Sequence, residues 1–152
     1  LPRVRHFEIW NEANLRNFFR LGFGSNVGHY KKLVRAAYPA IKQANRRAIV
    51  IAGVGGPRSS QGGGNVGARR WMNSIVLDRS VKFDAYSQHI YPAAGPRAKV
   101  KAFPSWNSVP EILQTLNRRK RGMKLYITEA GYTTAKTDFR NVRVSVPVQN
   151  RY

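Results

Sequence analysis

Two glutamates stand at the ends of β-rich runs in distant parts of the chain. Residues 4–10 lead into Asn11-Glu12, and residues 124–128 lead into Glu129-Ala130-Gly131. A third run, residues 83–90, ends around His89-Ile90-Tyr91. Only seven acids occur among 152 residues, so two of them in matching positions bear on function. Carboxyls brought together in space suit cleavage of a glycosidic bond. One arrives protonated and helps the leaving oxygen depart; the other is ionised and attacks the anomeric carbon or activates water. Two carboxyls at short range repel when both are ionised, which keeps one proton on the pair. Such chemistry needs no cofactor.

The elements that must position these groups alternate along the chain. Residues 28–45 carry Tyr30, Leu33, Val34, Ala37, Tyr38, Ile41 and Ala44 at helical spacing, with Lys31, Lys32, Arg35 and Lys42 largely on the other side. Pro39 inside this helix is expected to kink it, because proline lacks an N–H and crowds the previous turn. Residues 49–54 form a continuous apolar run, as in a strand buried on both faces. Helices are expected over 68–78, with Trp71, Ile75 and Met72 inward, and over 109–121, with Pro110 in the first turn where proline is tolerated. Residues 145–152 are read as the start of a further helix within an ambiguous tail from residue 137. The order β-α-β-α-β-α-β implies an α/β fold with a parallel sheet, right-handed crossovers and outer helices. In such an array all strands end on one face, where ligand chemistry collects. Asp84, at the opposite end of its strand, reads as structural, and Glu8 is expected to point outward toward a basic helix.

The run Phe7-Glu8-Ile9-Trp10-Asn11-Glu12-Ala13-Asn14 resembles the Trp-Asn-Glu-Pro signature of clan A glycoside hydrolases, the group of cellulases, β-xylosidases and α-L-iduronidases. Ala13 stands where proline is usual. Leu125-Tyr126-Ile127-Thr128-Glu129-Ala130-Gly131-Tyr132 is similar to their seventh-strand nucleophile motif, and residues 83–91 resemble their sixth strand. Tyr38-Pro39-Ala40-Ile41-Lys42 resembles the helix after their fourth strand. The resemblance implies a partial (β/α)8 TIM barrel covering strands four to seven, read as one domain over 1–152. It implies Glu12 as acid/base and Glu129 as nucleophile of a retaining O-glycosyl hydrolase acting on a poly- or oligosaccharide. Asn11 would bond the sugar 2-hydroxyl, and His89 and Tyr91 would line the cleft. A complete barrel takes about 250 residues. The chain therefore reads as a fragment with an exposed apolar inner face, expected to be weakly active alone and to associate with a missing barrel half or with itself.

Other readings stand beside this one. Asn11-Glu12 alone fits a helix N-cap and a first-turn acid, and Glu129 alone fits a strand-end ion pair. Together, with strands before both, they favour catalysis. His89 and Tyr91 fit a cleft lining or a core equally well. Gly62-Gly63-Gly64-Asn65-Val66-Gly67 matches the G-x-G-x-x-G pattern, but a loop separates it from the preceding strand, so it reads as a flexible loop at the barrel mouth. No metal-ligand spacing and no nucleophile elbow are legible.

Twenty-seven Lys and Arg against seven Asp and Glu give a net charge of +20. The densest runs, Arg46-Arg47, Arg69-Arg70 and Arg118-Arg119-Lys120-Arg121, lie within or beside expected helices, where a solvated face accounts for them. Dispersed charge argues against nucleic-acid recognition. A basic module holding anionic polysaccharide or nucleic acid, without catalysis, is the rival function, and salt-sensitive binding separates the two. The absence of cysteine excludes disulfides and leaves the redox compartment open. No apolar run reaches the ~20 residues a membrane span needs, residues 1–20 lack a signal-peptide layout, and localisation stays open.

Overall fold

The computed structural model describes residues 4–20, 25–91, 103–132 and 147. Four strands, β1 (His6–Glu8), β2 (Ile49–Gly55), β3 (Ala85–Gln88) and β4 (Lys124–Tyr126), form one sheet in the order β1-β2-β3-β4. Every neighbouring pair is parallel. Three helices connect them: α1 (Asn26–Ala44), α2 (Ala68–Val76) and α3 (Val109–Arg119). The alternation expected from periodicity is present, with most elements a few residues shorter. The expected tail helix over 145–152 lies outside the described residues apart from residue 147.

Ser25 caps α1, its hydroxyl accepting from the Gly28 N–H at 3.1 Å. The helix then runs through Pro39 without interruption, so the expected kink does not break it. Pro39 is exposed. Tyr30 and Val34 of α1 pack with Trp71, Met72 and Ile75 of α2 and with Ile112 and Leu116 of α3. Val50, Ala52 and Tyr86 meet them from the sheet. Burying each such aliphatic side chain contributes about 1.5–3 kcal/mol. Ion pairs tie the helical layer outside this core. Arg69 of α2 grips Glu111 of α3 through two nitrogens, at 2.6 and 2.9 Å, and Lys31 of α1 reaches Asp78 at 2.8 Å. Asp84 is structural, as expected: it accepts from the Val50 N–H at 2.8 Å and pairs with Lys42 at 2.6 Å. Among the described residues, no helix is long and apolar enough to cross a membrane.

The other side of the sheet is concave. In a flat sheet β1 and β4 would lie about 14 Å apart. Instead Thr128, just past β4, donates to Glu8 Oε1 of β1 at 2.9 Å. The His6 and Tyr126 rings approach to 5.7 Å between centroids. Ser87 of β3 joins the chain through Thr128 Oγ1 at 2.8 Å. Two expectations are corrected here. Glu8 points into the concavity, not outward to a helix, because its neighbours Phe7 and Ile9 take the helix-facing positions. The inner face is also not an exposed apolar surface: Ile51 and Ala85 are buried within the curl, while His6, Glu8, Lys124 and Thr128 are its exposed members.

Candidate active site

Glu12 sits in a turn beyond β1. The Ile9 N–H continues the parallel ladder to the Ile51 carbonyl at 3.0 Å, and the Glu12 N–H reaches the Val54 carbonyl at 3.0 Å. Between these anchors the chain turns sharply, with Trp10 at φ 65° and Glu12 at φ 43°. Left-handed backbone at residues with a Cβ is sparsely populated and concentrates at functional sites. Three side chains hold the turn. The Tyr30 hydroxyl donates to the Ile9 carbonyl and accepts from the Gly53 N–H, both at 2.9 Å. The Trp10 indole donates to the Phe18 carbonyl at 2.9 Å. Asn14, fully buried, accepts from the Gly56 N–H at 2.7 Å and donates to the Val66 carbonyl at 3.1 Å.

Gly56 makes room for the acid. A Cβ there would fall 2.9 Å from Glu12 Cδ and 2.8 Å from a Leu15 methyl, both inside normal contact. The sequence signals for Asn14 and Gly56 are slight: an asparagine two residues after Glu12 and the glycine pair ending the β2 run. The glycine-rich loop beyond β2 is tied at several points. Asn65 Oδ1 accepts from the Arg16 N–H at 3.0 Å, and the Val66 N–H reaches the Asn14 carbonyl at 2.8 Å. It flanks the Glu12 turn as a fastened loop.

His89 directly follows β3 and is 1% exposed. Its N–H bonds to the Gly55 carbonyl at 2.8 Å. The ring Nδ1 lies 2.9 Å from Glu12 Oε1 and 3.4 Å from Glu129 Oε2. With carboxylates on that side, the proton belongs on Nδ1, directed at Glu12. Nε2 is buried and has no hydrogen-bond partner among the described residues; with Nδ1 as the donor it carries a lone pair, not an N–H. Glu129 is fixed by its own backbone, since its carbonyl accepts from the Ile90 N–H at 3.0 Å and Ala130 bridges to Ile90. The Tyr91 hydroxyl donates to Glu129 Oε2 at 2.9 Å. Burial, the bond to Glu129 and the charges of Glu129 and Glu12 push the Tyr91 phenol up to about 12, so it stays a donor at any ordinary pH.

Four of the five residues singled out from sequence thus meet. Glu12, His89, Tyr91 and Glu129 form a chain of contacts at the C-terminal end of the sheet, Glu12 buried and Glu129 partly open. Asn11 lies apart from this chain: it is exposed on the same turn and bonds to no described residue. One donor atom from each of Glu12, His89 and Glu129 lies within 4.8 Å of the others, so the three could also ligate a divalent cation. Linear spacing gave no hint of this set, because each ligand comes from a different strand end. A metal would displace the Nδ1 proton that now joins His89 to Glu12. No protein-family model matches the chain, and no curated protein matches it.

Proposed function

We propose that the chain is the portion of a retaining glycoside hydrolase that carries both catalytic carboxylates, within a fold of the (β/α)8 barrel type. The observation that supports this best is that carboxylate oxygens of Glu12 and Glu129, from the two outermost strands, come within 4.8 Å. Retaining chemistry uses carboxyls about 5 Å apart. The curl of the sheet accounts for that approach and is of the kind a barrel needs.

Glu129 is the nucleophile. Tyr91 holds its Oε2, and its other oxygen, unengaged among the described residues, attacks the anomeric carbon. Glu12 gives its proton to the departing glycosidic oxygen. It then takes a proton from the water that attacks the glycosyl-enzyme ester, releasing the sugar and restoring both carboxyls. His89 aligns Glu12, Tyr91 lines the cleft beside the nucleophile, and Asn11, exposed on the Glu12 turn, is given the sugar 2-hydroxyl on the motif resemblance alone. The substrate is a poly- or oligosaccharide.

The test is covalent trapping. A 2-deoxy-2-fluoro glycoside with an activated leaving group should add one glycosyl mass, located on the peptide containing Glu129. It should be applied to residues 1–152 and to a chain that completes the barrel. The short chain, whose sheet has unpaired edges at β1 and β4 among the described residues, is expected to label slowly. Labelling at another residue, or none in the completed barrel across hexosyl and pentosyl probes, refutes the assignment.

A further inference from the structure

The topology gathers exposed cations from separate segments at the N-terminal end of its sheet, in addition to the arginines, such as Arg16 and Arg58, that follow the strands at the other end. The C-terminal ends of the strands carry Glu12, Glu129 and the concave Glu8. The N-terminal ends are entered through loops dense in cations. Arg46 and Arg47 precede β2, and Arg79 and Lys82 precede β3. Arg118, Lys120 and Arg121 precede β4. All seven are exposed. In sequence they are scattered runs on separate helices; in the fold they share one end of one parallel sheet.

The acids at this end do not neutralise them. Asp78 is engaged by Lys31 at 2.8 Å and by the Ser80 hydroxyl at 2.6 Å. The Lys31 ammonium and the Ser80 hydroxyl hold its carboxyl well below the usual carboxylate range. Asp84 is engaged by Lys42 and the Val50 N–H. Both acids therefore serve the fold. One of the loop arginines is partly committed as well, Arg79 donating to the Arg118 and Arg119 carbonyls, yet these bonds leave its positive charge uncompensated. Between α1 and the loop before β3 lies an open groove of about 620 Å³, lined by Arg35, Tyr38, Pro39, Lys42, Ser80 and Lys82.

We propose that this end of the sheet, with the groove at one side of it, binds an acidic polysaccharide bearing carboxylate or sulfate groups. Successive loops follow the strand spacing of about 4.8 Å, on the order of one sugar unit, so a polymer laid across the strand ends meets one cationic loop after another. Within the groove Lys42 and Arg35 are paired with Asp84 and Asp78, so Lys82 is the cation it offers without an acid partner among the described residues, beside an exposed Pro39 ring for a sugar face. Single-stranded nucleic acid is the poorer fit, because its binding sites stack bases on free aromatic rings. At this end the Tyr38 ring is already covered by the Lys42 ammonium, 5.5 Å from its centroid. Among the described residues, the exposed aromatic side chains of the large hydrophobics, Trp10 and Phe18, belong to the opposite end. The site is remote from Glu12 and Glu129, so it does not depend on the hydrolase reading. It would hold the protein on an acidic matrix, not present a bond for cleavage.

The experiment compares two triple variants of equal net charge by affinity electrophoresis and calorimetry at low salt. One is Lys82→Glu/Lys120→Glu/Arg121→Glu, at the cationic end; the other is Arg16→Glu/Arg58→Glu/Arg70→Glu, away from it. The probes are polygalacturonate, dextran sulfate, neutral dextran and oligo-dT. The unchanged chain should bind both acidic polymers, ignore neutral dextran and bind oligo-dT more weakly. The first triple should lose affinity roughly tenfold or more, since it takes the seven exposed loop positions from a charge of +7 to +1, and the second should change about twofold or less. The milder Lys82→Gln/Lys120→Gln/Arg121→Gln set guards against misfolding, checked by far-ultraviolet circular dichroism, and should show the same ranking. Equal losses in both triples would reduce the effect to overall charge and overturn the site. Tighter binding of oligo-dT than of either acidic polymer, or no polymer binding at low salt, would overturn the choice of ligand.

Discussion

Thr128 donates a hydrogen bond to Glu8 across the concavity, joining residues 120 apart in sequence at 2.9 Å. The bond spans the full width of the sheet, from the first strand to the residue that precedes Glu129. It measures the curl that brings Glu129 toward Glu12, and Ser87 extends it into the buried layer. Thr128→Val keeps the β-branched shape and removes the hydroxyl, leaving Ser87 without that partner. The expected cost is about 1–3 kcal/mol, read as a lower denaturant midpoint with an unchanged slope. Unchanged stability would mean that the curl is fixed elsewhere.

Glu12→Gln tests the division of labour between the carboxylates. In a completed barrel it should slow cleavage of substrates with poor leaving groups by roughly 10²–10⁴. The first step on an aryl glycoside with a strongly acidic phenol should be largely spared, as a pre-steady-state burst would reveal. Similar losses on both substrates would argue that Glu12 is not the acid.

Tyr91 offers a pH test that does not require turnover. Its phenol is raised from 10.0 to about 12, so the folded protein favours the neutral form. Its stabilising contribution is therefore complete below pH 10 and disappears as pH rises through 12, with no counterpart in acid. A difference titration at the phenolate absorption band, native chain minus Tyr91→Phe, should show a component near 12. Glu129→Gln should bring that component down, because the carboxylate contributes to the shift. A Tyr91 phenolate forming at the ordinary tyrosine pH would contradict the Tyr91–Glu129 contact.

Gly56→Ala tests the space behind the acid. The added methyl must displace the Glu12 carboxyl or the Leu15 side chain. A displacement approaching 1 Å costs roughly 10²-fold in kcat, and overpacking costs about 1–3 kcal/mol in stability. The informative result is a folded variant with a fallen kcat and little change in KM. Full activity would show that Glu12 has slack at this position.

How far the sequence could be read depended on the range of each interaction. Periodicity exposed the order of strands and helices, because burial against one shared core imposes it locally. Strand-end positions and the motif resemblance singled out Glu12, His89, Tyr91 and Glu129, which the fold gathers. Glu8 was misread through a simple inversion. In a parallel sheet covered by helices the apolar Phe7 and Ile9 face outward to those helices, so the polar residue between them faces in. Asn14, Gly56 and the Glu12–His89–Glu129 donor set are not legible in the sequence because each acts through a partner on another strand or loop. Pro39 lies on the exposed side of α1, and the helix stays continuous through it to Ala44.

The turn that presents Glu12 resembles a loaded latch. Left-handed backbone costs about 1–3 kcal/mol at each of Trp10 and Glu12, and the Tyr30 hydroxyl, the Asn14 amide and the Trp10 indole hold it in that state. On warming, the catch should slip before the door gives way. Catalytic competence would then fade at temperatures where the sheet and helices are still intact, and it would return on cooling as Glu12 snaps back over Gly56.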